Sequence, residues 1–103
     1  MWIMLNNAFL SIVENRDKKD ELLVRARIEG DKERVFPEAD SFQDEQADYK
    51  YRAFVLRKEV ERVIALKVSE INYGNFKGSI SPNDRSRHDA YLRVWSEMYK
   101  TQK

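Results

Sequence analysis

Residues 22–28, Leu22-Leu23-Val24-Arg25-Ala26-Arg27-Ile28, alternate in polarity with a period of two. Leu22, Val24, Ala26 and Ile28 fall on one side, and Leu23, Arg25 and Arg27 on the other. The stretch therefore predicts a half-buried strand. Residues 49–56 repeat the pattern, with Tyr49, Tyr51, Ala53 and Val55 opposing Lys50, Arg52, Phe54 and Leu56.

Upstream lie two apolar segments, residues 2–5 and 8–13, separated by Asn6-Asn7. Asparagine tolerates positive φ, so the pair predicts a tight hairpin of the primed type. Both faces of these strands are apolar: Trp2 and Met4 oppose Ile3 and Leu5, then Phe9 and Val13 oppose Ala8, Leu10 and Ile12. Such strands are expected to be covered on both sides.

Between these strands and beyond them the punctuation is polar. Residues 16–21 form a charged turn. Gly30-Asp31 opens a short helical turn, with Asp31 as the expected N-cap for residues 32–36, and Pro37 marks its exit. Residues 38–48 read as an acidic surface loop anchored by Phe42. From 57 to 71, Val60, Val63, Ile64, Val68 and Ile71 recur at helical spacing, and Arg57 and Glu61 are placed to pair one turn apart. Residues 72–80 read as loop. Ser81-Pro82-Asn83-Asp84 predicts a helix start with Ser81 as N-cap and proline in the first helical position. The stripe Tyr91, Leu92, Trp95 and Tyr99, with His88 and Met98 beside it, then runs to the end.

The expected architecture is a single α+β domain over residues 1–103, in the order ββ-β-short α-β-α-α. It has a mostly antiparallel four-stranded sheet with two C-terminal helices packed on one face. Two helices cover one face of four strands. The doubly apolar hairpin then calls for something on the second face, and a second copy of the chain is the simplest candidate.

Composition narrows the chemistry. The chain has one histidine, His88, and no cysteine. Thiolate nucleophiles, Cys-ligated zinc and iron–sulfur clusters are excluded within one chain. Hydrophobic residues make up 42% and charged residues 36%, which predicts a globular chain with a heavily charged surface. Nineteen basic and eighteen acidic residues leave a net charge of +1, so the overall field favours neither nucleic acid nor an anionic membrane. Residues 1–13 lack a positive leading region and are interrupted by Asn6-Asn7, unlike a signal peptide. No stretch reaches the ~18 apolar residues of a membrane span. The cytoplasm is the expected location, and no cofactor, metal site or membrane partner is expected.

Three places carry candidate chemistry. His88, between Arg87 and Asp89, is either a base oriented by a carboxylate, with Asp84 nearby, or a helix residue packed along the Tyr91-Leu92-Trp95 stripe; the second is favoured. Arg25, Arg27, Lys50 and Arg52 share the polar faces of two strands with Phe54. Cations interleaved with an aromatic suit single-stranded nucleic acid. The favoured alternative is a sheet face whose arginines pair with acids on a neighbouring strand. Residues 50–55 loosely approach an RNA-binding motif but lack its glycine and place Arg52 where an aromatic stacks. Lys77, Arg85 and Arg87 near the last helix offer at most a generic anion site, since no phosphate-loop signature is present. An ordinary loop, with Tyr73 and Phe76 plugging the core edge, is favoured there. Asp40, Asp44, Glu45 and Asp48 read as a solvated acidic loop.

The segments Met1-Trp2-Ile3-Met4-Leu5-Asn6, Tyr49-Lys50-Tyr51-Arg52-Ala53, Asn75-Phe76-Lys77 and Arg87-His88-Asp89-Ala90-Tyr91-Leu92-Arg93-Val94-Trp95 together resemble a family of small uncharacterised bacterial proteins. The resemblance spans nearly the whole chain and implies a bacterial or mobile-element origin. It implies no activity, cofactor or catalytic residue, though it places His88 within a family motif.

The expected function is a non-enzymatic protein-interaction module, self-associating through its sheet. The residues expected to carry it are Arg25, Arg27, Arg52 and Phe54, with Trp2 as an apolar anchor. A nucleic-acid binder on the same basic face is the first rival. A small-molecule binder or minor enzyme centred on His88 is the second.

Overall fold

Residues 22–26 of the alternating stretch become part of the central strand of an antiparallel sheet in the computed structural model, which describes all residues Met1–Lys103; Arg27 and Ile28 follow it as a bend. The chain forms two compact units, Met1–Ile71 and Asn72–Lys103.

In the first unit, β1 (Trp2–Leu5), β2 (Ala8–Glu14), β3 (Glu21–Ala26), β4 (Ser41–Gln43) and β5 (Tyr51–Leu56) form one open sheet in the order β1-β2-β3-β5-β4. Every neighbouring pair is antiparallel. Helix α1 (Asp31–Val35) lies between β3 and β4 in the chain, and α2 (Arg57–Ser69) follows β5 directly. Ala8, Leu10, Ile12, Val24, Ala26, Ala53 and Val55 line one sheet face and form the core with Val35 and Phe36 at α1 and Val60 and Val63 of α2. Each of these side chains is nearly or wholly withdrawn from water, worth roughly 1.5–3 kcal/mol for a full Val, Leu, Ile or Phe.

The α+β class and the antiparallel sheet agree with expectation, whereas the strand number and the helical layer do not. A fifth strand, β4, arises inside residues 38–48, expected as loop. All three of its residues are exposed, because an edge strand needs only backbone partners on β5; Phe42 alone carries an apolar signal. Within the first unit the core face is covered by α1 and α2, so the short helix joins the layer expected of two C-terminal helices. Five residues of α1 suffice because Val35 and Phe36 are both bulky and both buried.

Local details also differ. The β1–β2 hairpin closes over Asn6-Asn7 with Leu5 opposite Ala8, yet no non-glycine residue has positive φ. The primed turn is therefore not formed; asparagine tolerates the left-handed region without requiring it, and ordinary φ avoids its steric cost. The N-cap of α1 is Gly30, at φ 94°, a conformation that a side chain would strain. Asp31 is the first helical residue, and its carboxylate is used elsewhere. Its Oδ2 accepts the Phe9 amide at 2.9 Å and its Oδ1 pairs with Arg34 Nη1 at 2.7 Å, tying α1 to β2. Lys32 is also buried, and its ammonium donates to the carbonyls of Phe36 (3.1 Å) and Ala39 (2.5 Å), closing the helix C-terminus. Arg57 does not pair with Glu61. Its backbone N–H donates to the Asp20 carbonyl and its Nε to that of Lys19, so the start of α2 is pinned to the charged turn.

The second unit contains a 3-10 turn (Lys77–Ser79) and α3 (Arg85–Tyr99). The cap of α3 is Asp84, not Ser81: its Oδ1 accepts the Arg87 amide at 3.2 Å. Ser81 instead closes a turn, its carbonyl accepting the Asp84 amide at 2.9 Å, which moves the helix start downstream of Pro82. Tyr73, Phe76 and Tyr91 pack in succession, with the Phe76 and Tyr91 rings stacked at 5.8 Å. Tyr91 and Arg87 are the buried residues of α3, and Arg87 Nε holds Asp84 Oδ2 at 2.7 Å.

Candidate functional site

The face of the sheet opposite the core is ordered by its register. Trp2 is opposite Ser11, Ser11 opposite Arg25, Arg25 opposite Arg52, and Arg52 opposite Phe42. One row thus crosses all five strands, about 19 Å from end to end at ~4.8 Å per strand. Aromatic rings end the row and cations occupy its middle. A second row sets Val13, Leu23 and Phe54 opposite one another.

Each end of the first row is an aromatic pair. Trp2 meets Phe9 edge-on at 5.8 Å, and Phe42 meets Phe54 at 5.4 Å. Trp2 is 69% exposed, Phe54 46% and Phe42 40%, so these pairs present apolar surface to water.

Three arginines converge on Tyr49 at the centre. The Arg27 and Arg25 guanidinium carbons lie 4.3 and 4.7 Å from its ring centroid, within cation–π range. Arg52 Nε donates to the Tyr49 carbonyl at 3.1 Å, and Arg25 Nη2 donates to Ser11 Oγ at 2.6 Å. Arg25 Nε is buried without a hydrogen-bond partner. Tyr49 and Ser11 are both buried. Burial pushes the Tyr49 phenol up, but hydrogen bonding to Arg27 and Ser11 and the charges of Arg27 and Arg25 together hold it below its ordinary value of 10.0.

The acids expected beside these arginines are not there. None of Arg25, Arg27 and Arg52 has a carboxylate within ion-pairing distance. The face therefore carries three positive charges without internal neutralisation.

Lys50 does not join this cluster. It pairs with Glu45 at 3.2 Å, and its ammonium lies 5.5 Å from the ring of Tyr51, a residue packed on the core side. Glu45, by hydrogen bond and charge, raises its pKa. The strand period had placed Lys50 on the arginine side and Tyr49 on the core side. Both residues precede β5, where the alternation does not yet hold, and the two exchange roles. Tyr49 and Ser11 are thus the residues that sequence reasoning missed. Ser11 had left a signal, as the one polar residue inside the apolar run of residues 8–13.

His88 lies in the second unit. Its imidazole is half exposed, with Nδ1 3.5 Å from Asp89 Oδ1, and it lines a cavity of about 490 Å³ together with Lys77, Ser81 and Arg85. Ser81 shares that cavity but is not hydrogen-bonded to His88; its Oγ accepts the Asn83 amide at 3.3 Å. No serine–histidine relay is assembled. Arg87, expected as part of an anion site, is committed to Asp84 and Tyr91.

The chain matches no family model, no curated protein and no solved structure. Its own geometry therefore carries the functional argument. A second hollow of about 410 Å³ lies between α1 and α2, where all the rim charges but Glu38 are already paired: Arg34 with Asp31, Glu59 with Arg62, and Lys67 with Glu70. No group of three or more His, Asp or Glu side chains is close enough to hold a metal ion. No helix is long and apolar enough to cross a membrane.

Proposed function

We propose that this protein is a non-enzymatic interaction module that docks a second copy of itself through the sheet face bearing Trp2, Arg25, Arg27, Arg52 and Phe54. The observation that carries the reading is a carboxylate-free arginine cluster flanked by exposed aromatic pairs. Aromatic residues and arginine are the side chains most enriched at protein interfaces. The chain also carries the complementary surface: Glu38, Asp40, Asp44, Glu45 and Asp48 are all exposed on the segment containing β4. In a two-fold dimer, the arginines of each copy meet the acidic segment of the other, a reciprocal contact that closes. A net charge of +1 puts little self-repulsion in its way. A cytoplasmic, cofactor-free setting belongs to the same reading, as does an origin among small bacterial proteins, which rests on the segments quoted above alone.

Single-stranded nucleic acid is the second reading, supported by the same unneutralised guanidiniums beside rings free to stack on bases. Light scattering across a concentration series, with and without added salt, separates the two. The expected result is a dimer that salt and Arg27→Glu both weaken. A monomer at every concentration overturns the self-association reading. Salt-sensitive retention of labelled single-stranded RNA or DNA by that monomer transfers the face to nucleic acid.

A further inference from the structure

The cavity in the second unit is independent of the sheet face and has its own charge pattern. Of its cationic lining groups, Arg85 has no hydrogen-bond or ion-pair partner, and Lys77 is held only over the Trp95 ring, its ammonium 4.0 Å from the centroid. The single lining carboxylate, Asp89, lies against His88 Nδ1 and neutralises neither. Ile80, which is buried, and Pro82, which is exposed, supply apolar wall beside these groups. The volume, about 490 Å³, falls in the ordinary range of small-molecule sites, roughly 300–1,000 Å³.

We infer that this cavity binds a small phosphomonoester with an apolar body. The Lys77 ammonium and the Arg85 guanidinium supply two positive charges without a counterion. A phosphomonoester carries about −1.5 to −2 at pH 7, and a carboxylate only about half as much. The guanidinium presents a planar fork that suits two phosphate oxygens, while the ammonium acts as a compact point charge. Ile80 and Pro82 then receive the apolar part of the ligand. The site does not rest on the start of α3, where the Arg87 amide is already taken by Asp84.

The position of Lys77 supplies the readout. A phosphate that draws its ammonium off the indole changes the emission of Trp95. The other tryptophan, Trp2, lies in the first unit and is removed as Trp2→Phe. The full chain with this substitution is titrated with phenyl phosphate, following Trp95 fluorescence and the amide resonances of residues 77–89. The expected result is saturable binding with shifts at Lys77, Ser81, Arg85 and His88. Arg85→Gln and Lys77→Gln each weaken it about tenfold or more, the scale of one lost charge-assisted hydrogen bond. Arg93→Gln, on α3 but outside the cavity lining, leaves it unchanged. Benzoate and inorganic phosphate each bind more weakly, one lacking the second charge and the other the apolar body. Absence of saturable shifts overturns the assignment, as does equal affinity in the Arg85→Gln protein. Benzoate or inorganic phosphate binding as tightly as phenyl phosphate overturns it too. Oligomeric state does not enter any of these outcomes, so the site stands or falls apart from the sheet-face dimer.

Discussion

The Arg27 guanidinium carbon lies 4.3 Å from the centroid of the Tyr49 ring. The contact sets a cation against a phenol whose ionised form its positive charge stabilises. Tyr49 is buried, whereas Arg27 is exposed and Arg25 half-buried, so the ring anchors the two cations from beneath. Without neighbouring acids, the ring of Tyr49 and the Ser11 hydroxyl are what hold these guanidiniums in place.

The depressed phenol value gives a pH signature. A tyrosine whose folded pKa lies below its unfolded one adds stability above the unfolded value and loses it as pH falls through the folded value. The native protein should therefore gain stability relative to Tyr49→Phe as pH rises toward 10.0, and show a constant difference at lower pH. Urea unfolding of both proteins across the alkaline range measures this; parallel curves throughout refute the assignment.

Asp31 should be more sensitive to removal than to neutralisation. Asp31→Ala takes an acceptor from the Phe9 amide and a partner from Arg34, at a cost of about 2–4 kcal/mol. Asp31→Asn keeps an oxygen for Phe9 and loses an ion pair whose arginine is 47% exposed and well screened, so it costs less. Equal losses in denaturant unfolding would show that the charge, not the amide bond, fastens α1 to β2.

The two sheet faces should separate stability from association. Leu10→Ala, in the core, is expected to cost about 2–5 kcal/mol. Phe54→Ala, on the opposite face, should cost below about 1 kcal/mol and yet reduce dimer formation. Lys58→Gln, exposed on α2 and away from the arginine face, serves as the charge control and leaves dimerisation unchanged. Sedimentation velocity reads association and thermal melting reads stability; a Phe54→Ala protein that dimerises like the native one counts against the proposed face.

At α3, Asp84→Ala should destabilise the helix by about 1–2 kcal/mol, whereas Ser81→Ala should change it little. Hydrogen exchange of the α3 amides distinguishes the two positions. Faster exchange after Ser81→Ala than after Asp84→Ala would return the cap to Ser81.

The elements with long, regular periods were legible. Residues 22–26 and 51–56 read as strands because period-two alternation survives any sheet order, whereas Arg27 and Ile28 lie past the end of β3 and Ile28 is exposed, not core-facing. Residues 57–71 read as a helix because a 3.6-residue stripe has one geometric meaning. Where a single residue decides an outcome, local pattern carried less. Phe42 alone marks β4, and the choice between Ser81 and Asp84 as cap turns on which oxygen reaches the Arg87 amide. Of the candidate face, Arg25, Arg27, Arg52 and Phe54 followed from alternation. Lys50 was misplaced because it precedes the strand that the alternation describes.

Taken alone, the order of residues determined the α+β class, the antiparallel strands, and the exclusion of thiol chemistry by the missing cysteine. Those follow from periodicity and composition, which are properties of neighbours along the chain. Only the tertiary structure decided that Trp2, Ser11, Arg25, Arg52 and Phe42 form one row, that Tyr49 sits under the arginines, and that no acid accompanies them. Strand register sets residues 40 positions apart, Trp2 and Phe42, at the two ends of one row, and no local pattern encodes which partner each residue will meet.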